Sequence, residues 1–260
     1  MPDSHSPFIR PEWVPTVAVN SRILIVGASG GLGTALTAML CKGPDCLIGA
    51  HGNSVPVVAC DPYVHAFSGT LDGEAACIQL VDRFTKIARG IDALVMLTGG
   101  LTHAEHWNSL SEEDWHHDID LNLNIPFFVA RAAMRVMKAQ GSGGRIILTG
   151  TESAIHGGSA QSFPYAIAKR GTECMVEGLA RDGAPNGILV NGVRLGFIAS
   201  GFHERWAGRD AQHMRNRADM VPLNRGGHPD EVAALIIYLM SGWASYITGQ
   251  MIPLTGGDWL

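Results

Sequence analysis

The chain has 260 residues, 46% of them hydrophobic, which is enough to bury a full core and suits one α/β domain. A formal charge of −5 and a pI near 6.1 give neither a phosphate backbone nor an anionic bilayer a surface that attracts it as a whole. Nucleic-acid and membrane partners are therefore not expected, and the expected partner is a small molecule.

Residues 1–20 carry Pro2, Pro7, Pro11 and Pro15 with little periodicity and read as an arm, extended or partly disordered, ahead of one domain over 21–260. The first apolar run, Ile23–Val26, enters the turn Gly27-Ala28-Ser29-Gly30-Gly31-Leu32-Gly33 and then a helix over Gly31–Leu40. A strand-to-helix bend of this kind leaves free amides that can hold a pyrophosphate, although a glycine turn alone also serves simply to pack helix on strand. A second strand is expected over Cys46–Ala50. The stretch from Gly52 to Tyr63 is ambiguous: Val55 to Asp61 reads either as an extra strand or as a shortened crossover.

Further on, strands are expected over Val64–Ser68, Ala93–Leu97, Arg145–Thr149, Ile188–Val193 and Gln250–Pro253. Helices fill the intervals: Glu74–Ala88, Glu112–Leu121 running on through Phe127–Ala139, Tyr165–Asp182, and Pro229–Met240. Ser111-Glu112-Glu113-Asp114 reads as a capping box, and His228-Pro229-Asp230-Glu231 places proline in a first turn. Short apolar runs alternating with helical patterns predict an α/β fold, a doubly wound parallel sheet with helices on both faces.

Within the expected helix from Tyr165, Lys169 stands one turn further along the same face. An ammonium beside a phenol favours the ionised form, which makes the phenol a proton donor and acceptor. The five cysteines, Cys41, Cys46, Cys60, Cys77 and Cys174, form no C-x-x-C pair and read as small buried hydrophobes. The N-terminus has no basic region followed by an apolar run, so the expected setting is reducing and cytoplasmic. His103, His106, His116 and His117 lack a cysteine or carboxylate cluster to complete a site, and no metal is expected.

The glycine turn, Asp92-Ala93-Leu94-Val95, Asn122, Gly144-Arg145-Ile146-Ile147, Tyr165-x-x-x-Lys169, Asn191 to Gly196 and the closing Ile247-Thr248-Gly249-Gln250 with Gly256-Gly257 follow one another in a fixed order. From residue 22 to 258 this series resembles the single-domain short-chain dehydrogenase/reductases. The resemblance implies a Rossmann-type fold that binds a nicotinamide dinucleotide, with Gly27, Gly31 and Gly33, together with Ser29, Gly30 and Leu32, around the pyrophosphate. It implies that Tyr165 exchanges a proton with the substrate oxygen. Lys169 would bond the nicotinamide ribose and lower the phenol's pKa, and Asn122 would hold a helix bend and a relaying water.

Three departures from the family pattern stand out. At the end of the fifth strand the usual serine is replaced within Leu148-Thr149-Gly150-Thr151-Glu152-Ser153, where alignment favours Thr151 as the polarising hydroxyl and leaves Ser153 as the other candidate. Met96-Leu97-Thr98-Gly99 keeps the glycine beside the adenine ribose but loses the amide that braces the sheet. Leu195-Gly196 replaces Pro-Gly, with Ile198 left to offer backbone contacts and Ser200 in place of a threonine that reaches the cofactor.

The second strand ends in His51-Gly52-Asn53 without a carboxylate, which favours NADP(H); were residues 57–61 the true strand, Asp61 would favour NAD(H). The segment from Gly201 through Trp206, Met214 and Met220 reads as a lid over a moderately apolar ligand, or equally as a polar surface helix, and Glu152, His156, Gln161 and Phe163 are expected to face the pocket. Helix pairing in the family implies a homodimer or homotetramer. The leading expectation is an oxidoreductase interconverting a ketone or aldehyde and an alcohol; a dehydratase or epimerase, and a nucleotide-binding protein without turnover, are the rivals.

Overall fold

The structure, a computed structural model, describes residues 15–53, 55, 57, 61–102, 104–207 and 209–258. Seven strands form one parallel sheet: β1 (Arg22–Val26), β2 (Leu47–Gly52), β3 (Val64–Ser68), β4 (Ala93–Met96), β5 (Gly144–Thr151), β6 (Ile188–Leu195) and β7 (Met251–Leu254), in the order β3-β2-β1-β4-β5-β6-β7. Between them run α1 (Gly31–Leu40), α2 (Glu74–Ala88), α3 (Glu112–Ile119), α4 (Ile125–Gln140), α5 (Phe163–Gly183), α6 (Phe202–Ala207), α7 (Ala211–Asp219) and α8 (Pro229–Met240).

The continuous apolar run of β1 reflects burial on both faces. Leu24 and Val26 join Phe84, Val129 and Met137 in the layer of α2, α4 and α5, whereas Ile23 and Ile25 join Leu36, Val232 and Ile236 in the layer of α1 and α8. At the strands' amino ends Arg22 grips Asp92 through Nε (2.8 Å) and Nη2 (2.5 Å), tying β1 to β4. Because β1 lies between β2 and β4, the strand order reverses there, and a crevice opens at the carboxyl ends.

The structure refines several expectations. Ile48 pairs with Val64, so β2 is the strand ending at Gly52, and Asp61 lies in the turn before β3 instead of at a strand end beside the glycine turn. Of the alternative strand 57–61, residues 58–60 lie outside the described set, as do residues 1–14 of the arm. Val17 packs into the α1/α8 layer, so the arm's last residues join the core. The expected continuous helix after Glu112 is interrupted by a π-turn at Asp120–Asn124. Ser111 caps α3 by accepting from Asp114 N–H at 3.1 Å, and His228 and Glu231 form a reciprocal box at α8. Cys46 and Cys77 are buried as expected, but Cys174 is exposed on α5, and Cys60 lies outside the described residues.

Candidate active site

The glycine turn sits at the reversal point. Gly27 and Ala28 donate backbone N–H bonds to the His51 carbonyl at 3.0 and 2.8 Å, fixing the bend against the end of β2. Gly27 has φ +90°, and a Cβ there would lie 2.9 Å from the Leu97 carbonyl carbon. A Cβ on Gly33 would overlap Ala28, and one on Gly31 would overlap the Ser200 carbonyl. Helix α1 opens after Gly30 with no side-chain cap and no acid in its first turn. Its first amides thus carry the positive end of the dipole, in a cradle that admits only glycine at positions 27, 31 and 33. These residues fit a dinucleotide pyrophosphate.

Around the expected adenosine end the side chains sort themselves. The His51 ring is 3% exposed and its Nε2 lies 2.8 Å from the Gly69 carbonyl, so the residue serves the glycine turn through its backbone and its ring points into the fold. Burial holds that imidazole below its ordinary pKa. Gly52 backs onto the Ser29 side chain, and Asn53 is exposed beyond it. Gly196 packs so closely on Thr255 that a Cβ would lie 2.7 Å from its Cα, which carries Ile198 and Ser200 across the glycine turn.

The second half of the site comes from α5, β5 and the π-turn. Helical spacing puts Tyr165 and Lys169 on one face, with the Lys169 ammonium 5.9 Å from the Tyr165 ring centroid. That ammonium donates to the carbonyls of Thr98 (3.0 Å) and Thr149 (3.2 Å). Burial pushes Lys169 down to about 8 and the Tyr165 phenol up to about 12, with a hydrogen bond from Thr151 drawing the phenol the other way. This corrects the expectation that the lysine lowers the phenol: the ammonium sits over the ring and spends its protons on carbonyls, and desolvation dominates.

Thr151 is the hydroxyl that reaches Tyr165, and its Oγ1 lies 3.2 Å from the Ser153 Oγ, so both candidates stand side by side. Asn122 is fully buried. Its Nδ2 donates to Gly100 and Asp118 carbonyls, both at 2.8 Å, while its Oδ1 accepts from Gly100 N–H at 3.0 Å. The side chain is thereby committed to holding the helix bend against the loop after β4. Gly99 lies between Lys169 and Asn122, where a Cβ would come within 2.9 Å of the Lys169 Nζ. The amide missing at Leu97 has a functional substitute in Thr149, whose hydroxyl donates to the Met96 carbonyl at 3.0 Å and ties β5 to β4.

These halves share one cleft of about 370 Å³, lined by Leu32, Gly99, Thr151, Tyr165, Lys169 and Ser200 among others. Glu152 and His156 line it as expected, whereas Gln161 and Phe163 face solvent at the start of α5. The expected lid is α6 and α7: Phe202 stacks 6.1 Å from the Tyr165 ring, and His203 lies 5.2 Å from Phe197. Arg217 and Asp258, which also line the cleft, were not legible as site residues, because they are remote in sequence and only the chain's closing turn brings them together. Among the described residues no group of three potential ligands could hold a metal, and His103 lies outside them.

A doubly wound sheet whose reversal point carries an uncapped glycine turn, with a tyrosine and a lysine in the same cleft, defines the class of nicotinamide-dependent oxidoreductases. Comparison with known proteins agrees. The family model described as "Enoyl-(Acyl carrier protein) reductase" matches residues 60–258. The chain is 33% identical to 3-oxoacyl-acyl-carrier-protein reductase FabG of Rickettsia conorii over 239 residues, covering 90% of this chain and 95% of the relative. It is 29% identical to L-rhamnose 1-dehydrogenase (NAD(P)(+)) of Azotobacter vinelandii over 250 residues, covering 92% and 96%. A short-chain type dehydrogenase/reductase from Mycobacterium ulcerans shares the fold with a TM-score of 0.82 at 21% identity, covering 93% of this chain and 90% of that one. The chain belongs to the short-chain dehydrogenase/reductase family and is an NAD(P)-dependent oxidoreductase.

Proposed function

We propose that the protein reduces a carbonyl to an alcohol with Tyr165 as the proton donor, Thr151 as the hydrogen-bond donor to the same oxygen, and Ser153 supporting Thr151. The observation that carries this reading is the Tyr165 phenol, placed against Thr151 at the base of the cleft and pushed up to about 12, so that it is protonated at neutral pH. A protonated phenol suits an acid that delivers its proton as charge develops on the oxygen. The nicotinamide, when bound, supplies the hydride. Lys169 presents an ammonium beside the phenol and beside the backbone of Thr98, where a ribose hydroxyl can be held, and Asn122 keeps the loop carrying Gly99 and Gly100 in place.

For the cofactor the reading is NADP(H): β2 ends without a carboxylate, and Ser29 and Asn53 flank the place where a 2′-phosphate would lie. The pyrophosphate falls to the amides of Gly30, Gly31, Leu32 and Gly33, and the carboxamide to the backbone near Gly196, Ile198 and Ser200. Consumption of NADPH and NADH against a panel of ketones and aldehydes tests both points. Reduction with a higher kcat/KM for NADPH supports the reading; cofactor binding without consumption across the panel favours a binding protein, and an NADH preference reverses the cofactor assignment.

Two coarser expectations accompany it. Ile167 is 39% exposed on α5 beside exposed Cys174, which supports pairing of this helix in a homodimer or homotetramer; light scattering on the purified protein tests it. No helix among the described residues is long and apolar enough to cross a membrane, and with Cys41, Cys46, Cys77 and Cys174 all free thiols a cytoplasmic location is the favoured one.

A further inference from the structure

Arg217 projects from α7 into the cleft, where its Cζ lies 5.4 Å over the Phe197 ring. One arm of the guanidinium, Nη2, pairs with Asp258. The other, Nη1, is buried with no hydrogen-bond partner among the described residues. A buried charged donor left unpaired is costly, so a group of this kind marks a place where an acceptor belongs.

The charges around it indicate what kind of acceptor. Three cations line the cleft, Lys169, Arg209 and Arg217, against two acids, Glu152 and Asp258. Glu152 is already ion-paired with Arg194 Nε at 2.9 Å, outside the cleft lining, and Asp258 with Arg217 itself. In a chain of formal charge −5, the cations that line the cleft thus outnumber its acids by one. His203 corroborates this, since burial together with the Arg209 and Arg217 charges holds it down to about 4 and keeps it neutral.

Between Arg217 and the reacting end runs a wall of rings: Phe197 lies 5.2 Å from His203, His203 5.5 Å from Phe202, and Phe202 6.1 Å from Tyr165. We propose that the substrate is a keto acid whose carbonyl meets Tyr165 and Thr151, whose apolar middle lies along this wall, and whose carboxylate accepts from Arg217 Nη1. The inference rests on the carbonyl-reductase reading above and adds the substrate's charge to it. Asp258 acts as the counterion that holds the guanidinium plane in position and attenuates its charge.

The test compares levulinate, and the two homologues longer by one and by two methylenes, each against its own methyl ester, with NADPH. The acid should show about tenfold or more higher kcat/KM than the ester for at least one chain length. Arg217→Met should bring that ratio close to one, and Asp258→Asn, which keeps the shape and withdraws the competing carboxylate, should raise it. Esters reduced as well as acids at every length, or a ratio unmoved in both variants, overturn the proposal while leaving the carbonyl-reductase reading intact. If nothing in the series is reduced, thermal shifts of the NADPH-loaded protein decide: stabilisation by acids but not esters, lost in Arg217→Met, sustains the carboxylate site and leaves the reductase reading to the ketone and aldehyde panel. Equal shifts overturn the site.

Discussion

The ammonium of Lys169 lies 5.9 Å from the centroid of the Tyr165 ring and is anchored to the Thr98 and Thr149 carbonyls, so the two side chains share a face without the nitrogen bonding the phenol oxygen. The partner of that oxygen is the Thr151 hydroxyl. The phenol and the nearby ammonium thus both come from α5, and the hydroxyl that meets the phenol comes from β5.

Replacing Tyr165 by Phe keeps the ring against Phe202 and removes only the hydroxyl, with the proton it would deliver. Turnover should fall by about 10²–10⁴-fold while the Kd for NADPH changes little. Stopped-flow reduction and a fluorescence titration of the same preparation check the two halves; turnover near the unmodified level would take Tyr165 out of the mechanism.

Thr151→Ala should lower kcat by roughly 10²–10³-fold, because it removes a donor aimed at the developing oxyanion. Thr151→Ser should retain most activity, and Ser153→Ala should cost much less than Thr151→Ala, since Thr151 bonds the Tyr165 phenol and Ser153 stands against Thr151. The reverse order of the two alanine variants would transfer the role to Ser153.

Lys169 titrates at about 8 in the folded protein against 10.5 as a free side chain. Below pH 8 both states hold the proton and the folded state bears the full cost of burying it. Between 8 and 10.5 the unfolded state binds more protons, so stability rises with pH by about 3 kcal/mol from this group. The difference in Tm between the unmodified protein and Lys169→Met should therefore shift in favour of the former across that window. Turnover, which needs the ammonium, should decline above pH 8.

Gly31→Ala should weaken NADPH binding sharply, because its Cβ would meet the Ser200 carbonyl across the cradle. Gly30→Ala, with nothing nearer than 3.7 Å to its Cβ, should change affinity little. Isothermal titration of both variants checks this pair, and equal losses would remove the close approach of Ser200 as the cause.

Much of the fold was legible because its signals are local. The apolar runs of β1 and β3, the span of α2 and the proline at the start of α8 are short-range consequences of side-chain periodicity and capping, and helical spacing alone puts Tyr165 and Lys169 on one face. The π-turn at Asp120–Asn124 was harder to see, since it is stabilised by bonds from Asn122 to Gly100 across the chain. Strand pairing placed Asp61: Ile48 opposite Val64 makes β2 and β3 direct neighbours, and Asp61 lies in the turn before β3, away from the end of β2.

What the chain's order of residues determined by itself was the alternation of strand and helix, the glycine turn and the reactive pair, each set by neighbours within a few positions. Tertiary structure alone decided which hydroxyl meets Tyr165, how far burial raises that phenol, and that Arg217 and Asp258 share the cleft with it. The physical reason is the same in each case. Desolvation and ion pairing depend on which distant segments exclude water together, and no local pattern encodes that packing.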